Sequence, residues 1–219
     1  MKKYIQILKK TQLFSEISEE EITAMLPCLR AELKTYKKGE FILMQGESLD
    51  KILVLAEGKL NIQCDDYWGN RSIINMILPG EMFGEAYATP KSGTLTNDVL
   101  ATEDSAVIFF DVKQILTVCS SACRFHTTVI RNLFFAISEK NRKLVKKIMF
   151  ISKRTTKEKL IAYLSEEARQ HKNNTFSIPF NRQQLADFLS VDRSAMSNEL
   201  CKMRDEGMIE FEKNRFTLL

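Results

Sequence analysis

The sequence predicts a mixed α+β protein with an N-terminal roll of short β-strands, one long helix, and a small C-terminal domain of helices and a hairpin. Seven of the eight glycines lie between residues 39 and 93, and they separate short apolar or alternating runs. From about residue 112 the apolar residues recur at helical spacing instead. The last third of the chain contains repeated helix-capping and turn signals.

The composition is that of a globular protein with one large or two small domains. The chain has 219 residues, of which 44% are hydrophobic and 27% charged, so a disordered chain, a collagen and a disulfide-stapled miniprotein are excluded. No apolar run approaches the ~20 residues that span a bilayer, and the first residues lack a signal-peptide cleavage site. Five scattered cysteines fit reduced thiols. We therefore expect a cytoplasmic protein with no membrane partner and no structural zinc.

The first predicted domain, residues 1–112, is an all-β roll of the jelly-roll type. Ser18 and Glu21 form a capping box that begins a short helix ahead of it. In residues 59–64 polar and apolar side chains alternate strictly, which predicts one face on a core and one in water. The candidate strands are residues 41–44, 51–56, 59–64, 72–78, 99–101 and 106–110.

The second predicted segment, residues 113–151, is a long helix that joins two copies of the chain. An apolar stripe with one polar member recurs at steps of three and four residues, and a lone Asn in such a seam can fix its register. The alternative is that the stripe packs on the chain's own β domain. The seam residues are Ile130, Leu133, Ile137, Asn141, Leu144 and Ile148, with Ile151 continuing the pattern.

The third predicted domain, residues 152–219, has the element order of a winged helix-turn-helix. A capping box at Thr155 begins its first helix, and Asn181 caps the next. Asp192 caps a third helix after a short turn, and Gly207 supplies its left-handed end. A strand, turn and strand follow, completing the order helix, helix, turn, helix and hairpin.

Such a domain places the start of its last helix in the major groove of DNA. Arginine can bond guanine bidentately, and asparagine can bond adenine. The alternative is an ordinary exposed helix face. Residues 139–159 support DNA binding because nine cationic and two acidic residues give them a net charge of +7, against +4 for the whole chain. The candidate DNA-binding residues are Arg193, Ser194, Ser197, Asn198, Arg182 and Lys213.

Several motifs resemble those of the Crp/Fnr family of bacterial transcription regulators. They are Lys-Gly-Glu at 38–40, Gln-Gly-Glu at 45–47, Ala-Glu-Gly-Lys-Leu at 56–60, Leu-Pro-Gly-Glu-Met-Phe-Gly-Glu at 78–85, and Asp-Arg-Ser-Ala-Met-Ser-Asn-Glu at 192–199. The resemblance spans nearly the whole chain. It implies a cyclic-nucleotide-binding type β-roll for a small effector, a dimerising helix, a winged helix that binds palindromic double-stranded DNA, and RNA polymerase as a partner.

The effector pocket departs from the family's cyclic-nucleotide pattern. By resemblance the pocket contains Gly84, Glu85, Leu95 and Thr96, and the Glu would take a ribose hydroxyl. An Arg pairs the cyclic phosphate in nucleotide-binding members, but Leu95 stands in its place. Burying a phosphate without a cation is costly, so we expect an effector other than cyclic AMP, whose identity stays open. Glu85 can also be a turn residue only.

Other cofactors receive little support. Oxygen-sensing relatives carry an N-terminal cysteine cluster, but here Cys28 alone precedes Cys64, so no iron–sulfur cluster is expected. Cys119, Cys123 and His126 leave a redox-responsive or haem-responsive regulator as an alternative, although haem is not favoured.

Two further functions are possible in principle. The β-roll could bind a partner protein in a regulatory subunit, with the C-terminal domain as an interaction module. An enzyme is rejected because no catalytic constellation is evident and the chain has only two histidines.

Overall fold

The structure, a computed structural model, describes residues 1–65, 67–68, 71–89, 93–117 and 124–219. The chain divides into two compact units, Met1–Ser138 and Glu139–Leu219. The boundary falls inside one long helix, which therefore contributes residues to both units. The three-part division of the sequence at residues 112 and 151 stays a prediction.

The first unit is a β-roll with helices on one side. Its helices are α1 (Ile5–Lys10), α2 (Glu19–Met25), α3 (Val112–Leu116) and the start of α4 (Arg124–Ile151). Its strands are β1 (Glu32–Tyr36), β2 (Phe41–Leu43), β3 (Lys51–Glu57), β4 (Leu60–Asp65), β5 (Arg71–Ile77), β6 (Met82–Phe83), β7 (Asp98–Ala101) and β8 (Ser105–Asp111). The mixed α+β class and the β-roll are confirmed, whereas β1 and β6 were not predicted because their residues lack a clear apolar run.

Two antiparallel four-stranded sheets form the roll, in the orders β1-β8-β3-β6 and β2-β7-β4-β5. Strand β3 is apolar on both faces because it lies between two cores. Ile52 and Val54 pack towards the helices, and Leu53 and Leu55 pack towards the second sheet. Alternate side chains of a strand point to opposite faces, so a continuous apolar run marks a strand that is covered on both sides.

Strand β4 corrects one expectation about burial. The strict alternation of residues 59–64 predicts that Gln63 faces water, yet Gln63 is buried. The pairing of β4 with β5 shifts its register between Ile62 and Gln63. The residue left unpaired by this shift is Ile74 of β5, and β4 pairs with β7 without a shift. The alternation within β4 is therefore intact, and it does not reveal that Gln63 is buried.

The turn between β3 and β4 requires a glycine. Gly58 has a φ of +93°, and a Cβ at this position would lie 2.2 Å from Ser105 Oγ. Ser105 is the first residue of β8, so any side chain at position 58 would displace that strand, and the close approach of the turn to β8 depends on glycine.

The second unit is a three-helix domain with a small sheet. After the end of α4 it contains α5 (Thr156–His171), β9 (Thr175–Ser177), α6 (Arg182–Leu189), α7 (Arg193–Asp205), β10 (Ile209–Glu212) and β11 (Arg215–Leu218). The sheet order is β10-β11-β9, and all its pairs are antiparallel. Apolar side chains from every helix and from β9, β10 and β11 form its core, including Phe150, Leu164, Leu185, Met196, Phe176, Ile209 and Phe216.

The helix starts follow the capping signals of the sequence. The predicted capping boxes at Ser18, Thr155 and Asn181 all have both of their hydrogen bonds. These bonds satisfy backbone N–H groups that have no partner within the helix, so local sequence alone sets where α2, α5 and α6 begin.

Candidate nucleic-acid interface

Helices α6 and α7 meet at a tight turn. Ser190 is left-handed, with φ 52° and ψ 59°, and Asp192 then caps α7 by accepting a bond from the Ala195 N–H at 2.7 Å. Met196, Leu200 and Met203 bury one face of α7 in the core of this unit. The opposite face is therefore held at the surface.

The exposed face of α7 carries most of the predicted base-reading residues. Arg193, Ser194 and Asn198 are exposed, and Ser197 is half-buried beside them. Sequence analysis missed Cys201, which is exposed on the same helix and lies three and four residues beyond Asn198 and Ser197. That spacing places the thiol next to both of them, and was the signal that could have identified it.

Lys213 lies at the tip of the hairpin between β10 and β11. It is exposed and adopts a φ of 51°. The neighbouring Asn214 anchors the tip to Ile178, through one bond from its side-chain amide and one to its backbone carbonyl, each 2.9 Å. The tip therefore presents a lysine from a fixed turn.

Arg182 departs from its expected position as a surface cation. Its guanidinium lies over the rings of Phe211 and Phe216, 4.8 Å and 5.1 Å from their centroids. Burial lowers the pKa of this guanidinium, and the nearby Cys201 opposes the shift. Stacking on the hairpin is a packing role, in which the half-buried side chain holds α6 against β10 and β11. The DNA contact of Arg182 stays a prediction.

The cations of residues 139–159 are less available to an external anion than the net charge of this segment indicates. Arg142 and Lys146 form salt bridges to Glu139 and Glu166. Lys157 pairs with Glu206. The acidic partners of the last two lie outside residues 139–159, so a local count of charge could not include them. The segment supports DNA binding only through the exposed cations at its C-terminal end, Lys153 and Arg154.

Helix α4 divides the predicted seam into two groups. Leu133 is only 6% exposed and belongs to the core of the first unit, and Ile130 packs against the same core. Including these two in a surface seam is therefore wrong, and here the alternative of packing on the β domain holds. Ile137, Asn141, Leu144 and Ile148 are exposed as expected.

Phe134, which is 65% exposed, lies on the same helix and extends the exposed residues towards its start. Counting from it, Phe134, Ile137, Asn141, Leu144 and Ile148 follow one another at steps of three, four, three and four, which is a heptad repeat. The predicted stripe began at Ile130 and included Leu133 where the exposed face has Phe134, because both residues are apolar and hydrophobicity does not distinguish an internal from an external face.

The predicted effector pocket contains a residue that is part of the β-roll core. Leu95 is 5% exposed and packs in the core between the two sheets. Its backbone bonds Gly46 and Glu47, each at 2.8 Å. Gly84 and Glu85 are half-buried, and Thr96 is exposed with its hydroxyl hydrogen-bonded to Tyr87. The side chain of Leu95 therefore packs between the two sheets, and its assignment to an effector pocket stays a prediction.

The redox and haem alternatives depend on Cys119, Cys123 and His126, and only His126 lies in the described part of the chain. Cys119 and Cys123 lie outside the described residues. His126 is buried at 2% exposure in α4. In the described part of the chain, no three His, Cys, Asp or Glu side chains are grouped as they would be around a metal ion. Among these same residues no helix is both long and apolar enough to cross a bilayer.

Comparisons with known proteins match both units. A cyclic nucleotide-binding domain family matches residues 33–122, and a Crp-like helix-turn-helix domain family matches residues 158–219. The transcriptional activator protein FnrA of Stutzerimonas stutzeri is 23% identical over 188 residues, covering 84% of this chain and 75% of the relative. The cyclic AMP receptor protein of Thermus thermophilus is 22% identical over 202 residues, covering 92% and 89%.

A solved structure shows the same fold. The crystal structure of the Thermus thermophilus catabolite activator protein superposes with a TM-score of 0.53 at 20% sequence identity, covering 95% of this chain and 94% of that one. At 20% sequence identity this similarity shows a shared fold and nothing further about function.

Proposed function

Because the chain belongs to the Crp/Fnr family of transcription regulators, we propose that it acts as a homodimer that reads a palindromic operator and responds to a small effector. The observation that carries this proposal is the helix α7, which buries Met196, Leu200 and Met203 on one face and exposes Arg193, Ser194 and Asn198 on the other. A helix anchored in this way can enter the major groove without disturbing its own core.

In this proposal the residues of α7 read bases and the residues around it bind the backbone. Arg193 takes a guanine, and Asn198 takes an adenine. Ser194 and Ser197 bond bases or phosphates, and Lys213 at the hairpin tip neutralises a backbone phosphate. Arg182 acts indirectly, by holding the hairpin of β10 and β11 against α6.

The homodimer forms along α4. Two copies of the heptad face would pack as a parallel coiled coil, with Phe134, Asn141 and Ile148 at the first position and Ile137 and Leu144 at the fourth. A two-fold dimer presents two copies of α7, which matches a palindrome of two half-sites about one helical turn apart.

The effector differs from cyclic AMP. A cyclic phosphate loses its hydration on entering the β-roll and needs a cationic fork in return. Leu95 offers no donor and is committed to the core between the sheets. We therefore propose an apolar or less anionic effector. Calorimetry with the purified protein is the check, and micromolar binding of cyclic AMP that raises operator affinity would contradict this part of the proposal.

Selection of the protein against a pool of random duplexes tests the DNA-binding proposal. We expect a palindromic consensus whose half-sites contain a G·C and an A·T pair at fixed separation. Enrichment of no consensus, with weak binding to all duplexes, would favour an interaction module over a sequence-specific regulator.

A further inference from the structure

The turn between α6 and α7 uses a residue that is costly in its conformation. Ser190 follows the last residue of α6 in the left-handed region, where glycine is favoured and another residue is strained. The Val191 N–H bonds the Ala186 carbonyl at 3.0 Å, and the Ser190 N–H bonds the Asp187 carbonyl at 3.2 Å. These are the two bonds of a Schellman motif.

The Schellman motif leaves later carbonyls without a partner from the turn itself. The last four carbonyls of a helix lack intrahelical donors, and the motif satisfies those of Ala186 and Asp187 only. The carbonyls of Phe188, Leu189 and Ser190 come next, at the negative end of the helix dipole. A cation from another helix is the natural donor for such a position.

Lys159 of α5 supplies this cation. Its Nζ donates to the carbonyl oxygens of Leu189 and Ser190, each at 3.2 Å. The side chain is half-buried. In the described residues no salt bridge joins Lys159 to a carboxylate, in contrast to Lys157 on the same helix, which pairs with Glu206. The ammonium is thus directed at the turn.

We infer that Lys159 is a positioning residue for DNA recognition, which fixes the strained Ser190 turn and thereby the direction in which α7 leaves it. This inference rests on the proposed reading of DNA by α7. Asp192 begins α7 two residues after Ser190, so a small rotation at the turn displaces Arg193 and Asn198 from the groove. The ammonium acts through the turn and makes no contact with DNA.

The test is a double-mutant cycle between Lys159→Met and Ser190→Gly, measured as affinity for the selected operator over a range of salt concentrations. Methionine keeps the length and apolar stem but donates no bond, and we expect operator affinity to fall by about tenfold or more. The slope of log affinity against log salt stays unchanged, because no phosphate contact is lost. Glycine adopts the left-handed turn without support, so Ser190→Gly restores most of the lost affinity.

Lys143→Met is the matched control, since it removes the same charge from an exposed position of α4 that does not touch the turn. It should leave operator affinity within about twofold of the starting protein. Circular dichroism of each variant checks that the folded fraction is the same.

Three results would overturn the inference. A slope that falls by about one on Lys159→Met, without rescue by glycine, would show that Lys159 contacts a phosphate. Unchanged affinity in a folded variant would show that the turn does not need it. If Lys159→Met lost affinity and melted at a lower temperature, and Ser190→Gly did not restore the affinity, Lys159 would have a general structural role.

Amide hydrogen exchange in the free protein separates this inference from the proposed function. Lys159→Met should speed exchange at the Val191 and Ala195 amides, which bond Ala186 and Asp192 across the turn, and Ser190→Gly should restore their protection. If the starting protein binds no duplex while this pattern appears, the DNA proposal fails and the role of Lys159 in the turn holds. Unchanged exchange would contradict that role in any case.

Discussion

Replacing Leu144 by Asp should separate the dimer without unfolding the monomer. Leu144 is 60% exposed, and exposed positions usually tolerate substitution within about 0.5 kcal/mol. In the dimer each copy would bury this leucine, which contributes about 1.5–3 kcal/mol. The substitution in both copies should therefore reduce the free energy of association by about 3–6 kcal/mol, which is equivalent to about a hundredfold to ten-thousandfold weaker association. Opposed carboxylates in the seam add to this loss.

Sedimentation equilibrium with and without operator duplex measures the effect. We expect Leu144→Asp to be monomeric at concentrations where the starting protein is dimeric, with the circular dichroism of a folded chain and a melting temperature lower only by the lost stabilisation from association. Lys143→Asp is the control, because it places the same carboxylate one residue away on the outward side of the heptad. A Leu144→Asp protein that stays dimeric would refute the assignment of the seam to α4.

Three further predictions concern the C-terminal unit. Arg193→Ala should cost about 1–3 kcal/mol on the selected operator and relax the preference at one base pair, seen by titration against a duplex changed at that pair. Arg182→Met should lower the free energy of unfolding by about 1 kcal/mol in urea titrations, because its guanidinium no longer stacks on two rings; no change would refute that packing role. Glu167→Gln should raise the stability at pH 7, because burial raises the pKa of the Glu167 carboxyl and so penalises its charged form. This gain should vanish below about pH 4, where the carboxyl is neutral in both states; a gain that persists there in thermal unfolding would contradict burial as the cause.

The elements that the sequence predicted best are those with local causes. The caps at Ser18, Thr155, Asn181 and Asp192 act within three residues along the chain, and a spacing rule detects them directly. Most strands of the roll were visible because glycine-containing turns separate them, although β1 and β6 were not predicted. In each of these cases the determining contact lies next to the residue itself.

The parts that sequence reasoning missed depend on contacts between distant segments. Leu133 and Phe134 are adjacent and both apolar, yet one is buried and the other exposed, since only the packed β-roll determines which side of α4 is covered. In the sequence Arg182 is indistinguishable from a surface cation, but in the fold its guanidinium stacks on Phe211 and Phe216 of the hairpin. Gln63 is a polar member of an alternating strand and is nevertheless buried in the packed roll. Tertiary packing overrides the local pattern in all three cases.

Operator binding measured over a range of salt concentrations is the most direct test of sequence-specific DNA reading by a dimer. Fluorescence anisotropy with the selected palindrome, a single half-site and a scrambled duplex gives the affinity, the selectivity and the salt dependence of binding in one series. We expect tight binding to the full palindrome, much weaker binding to the half-site, and a linear fall of log affinity with log salt at a slope of about −0.9 for each phosphate neutralised. Equal affinity for all three duplexes, or a slope near zero, would contradict sequence-specific reading of DNA by a dimer.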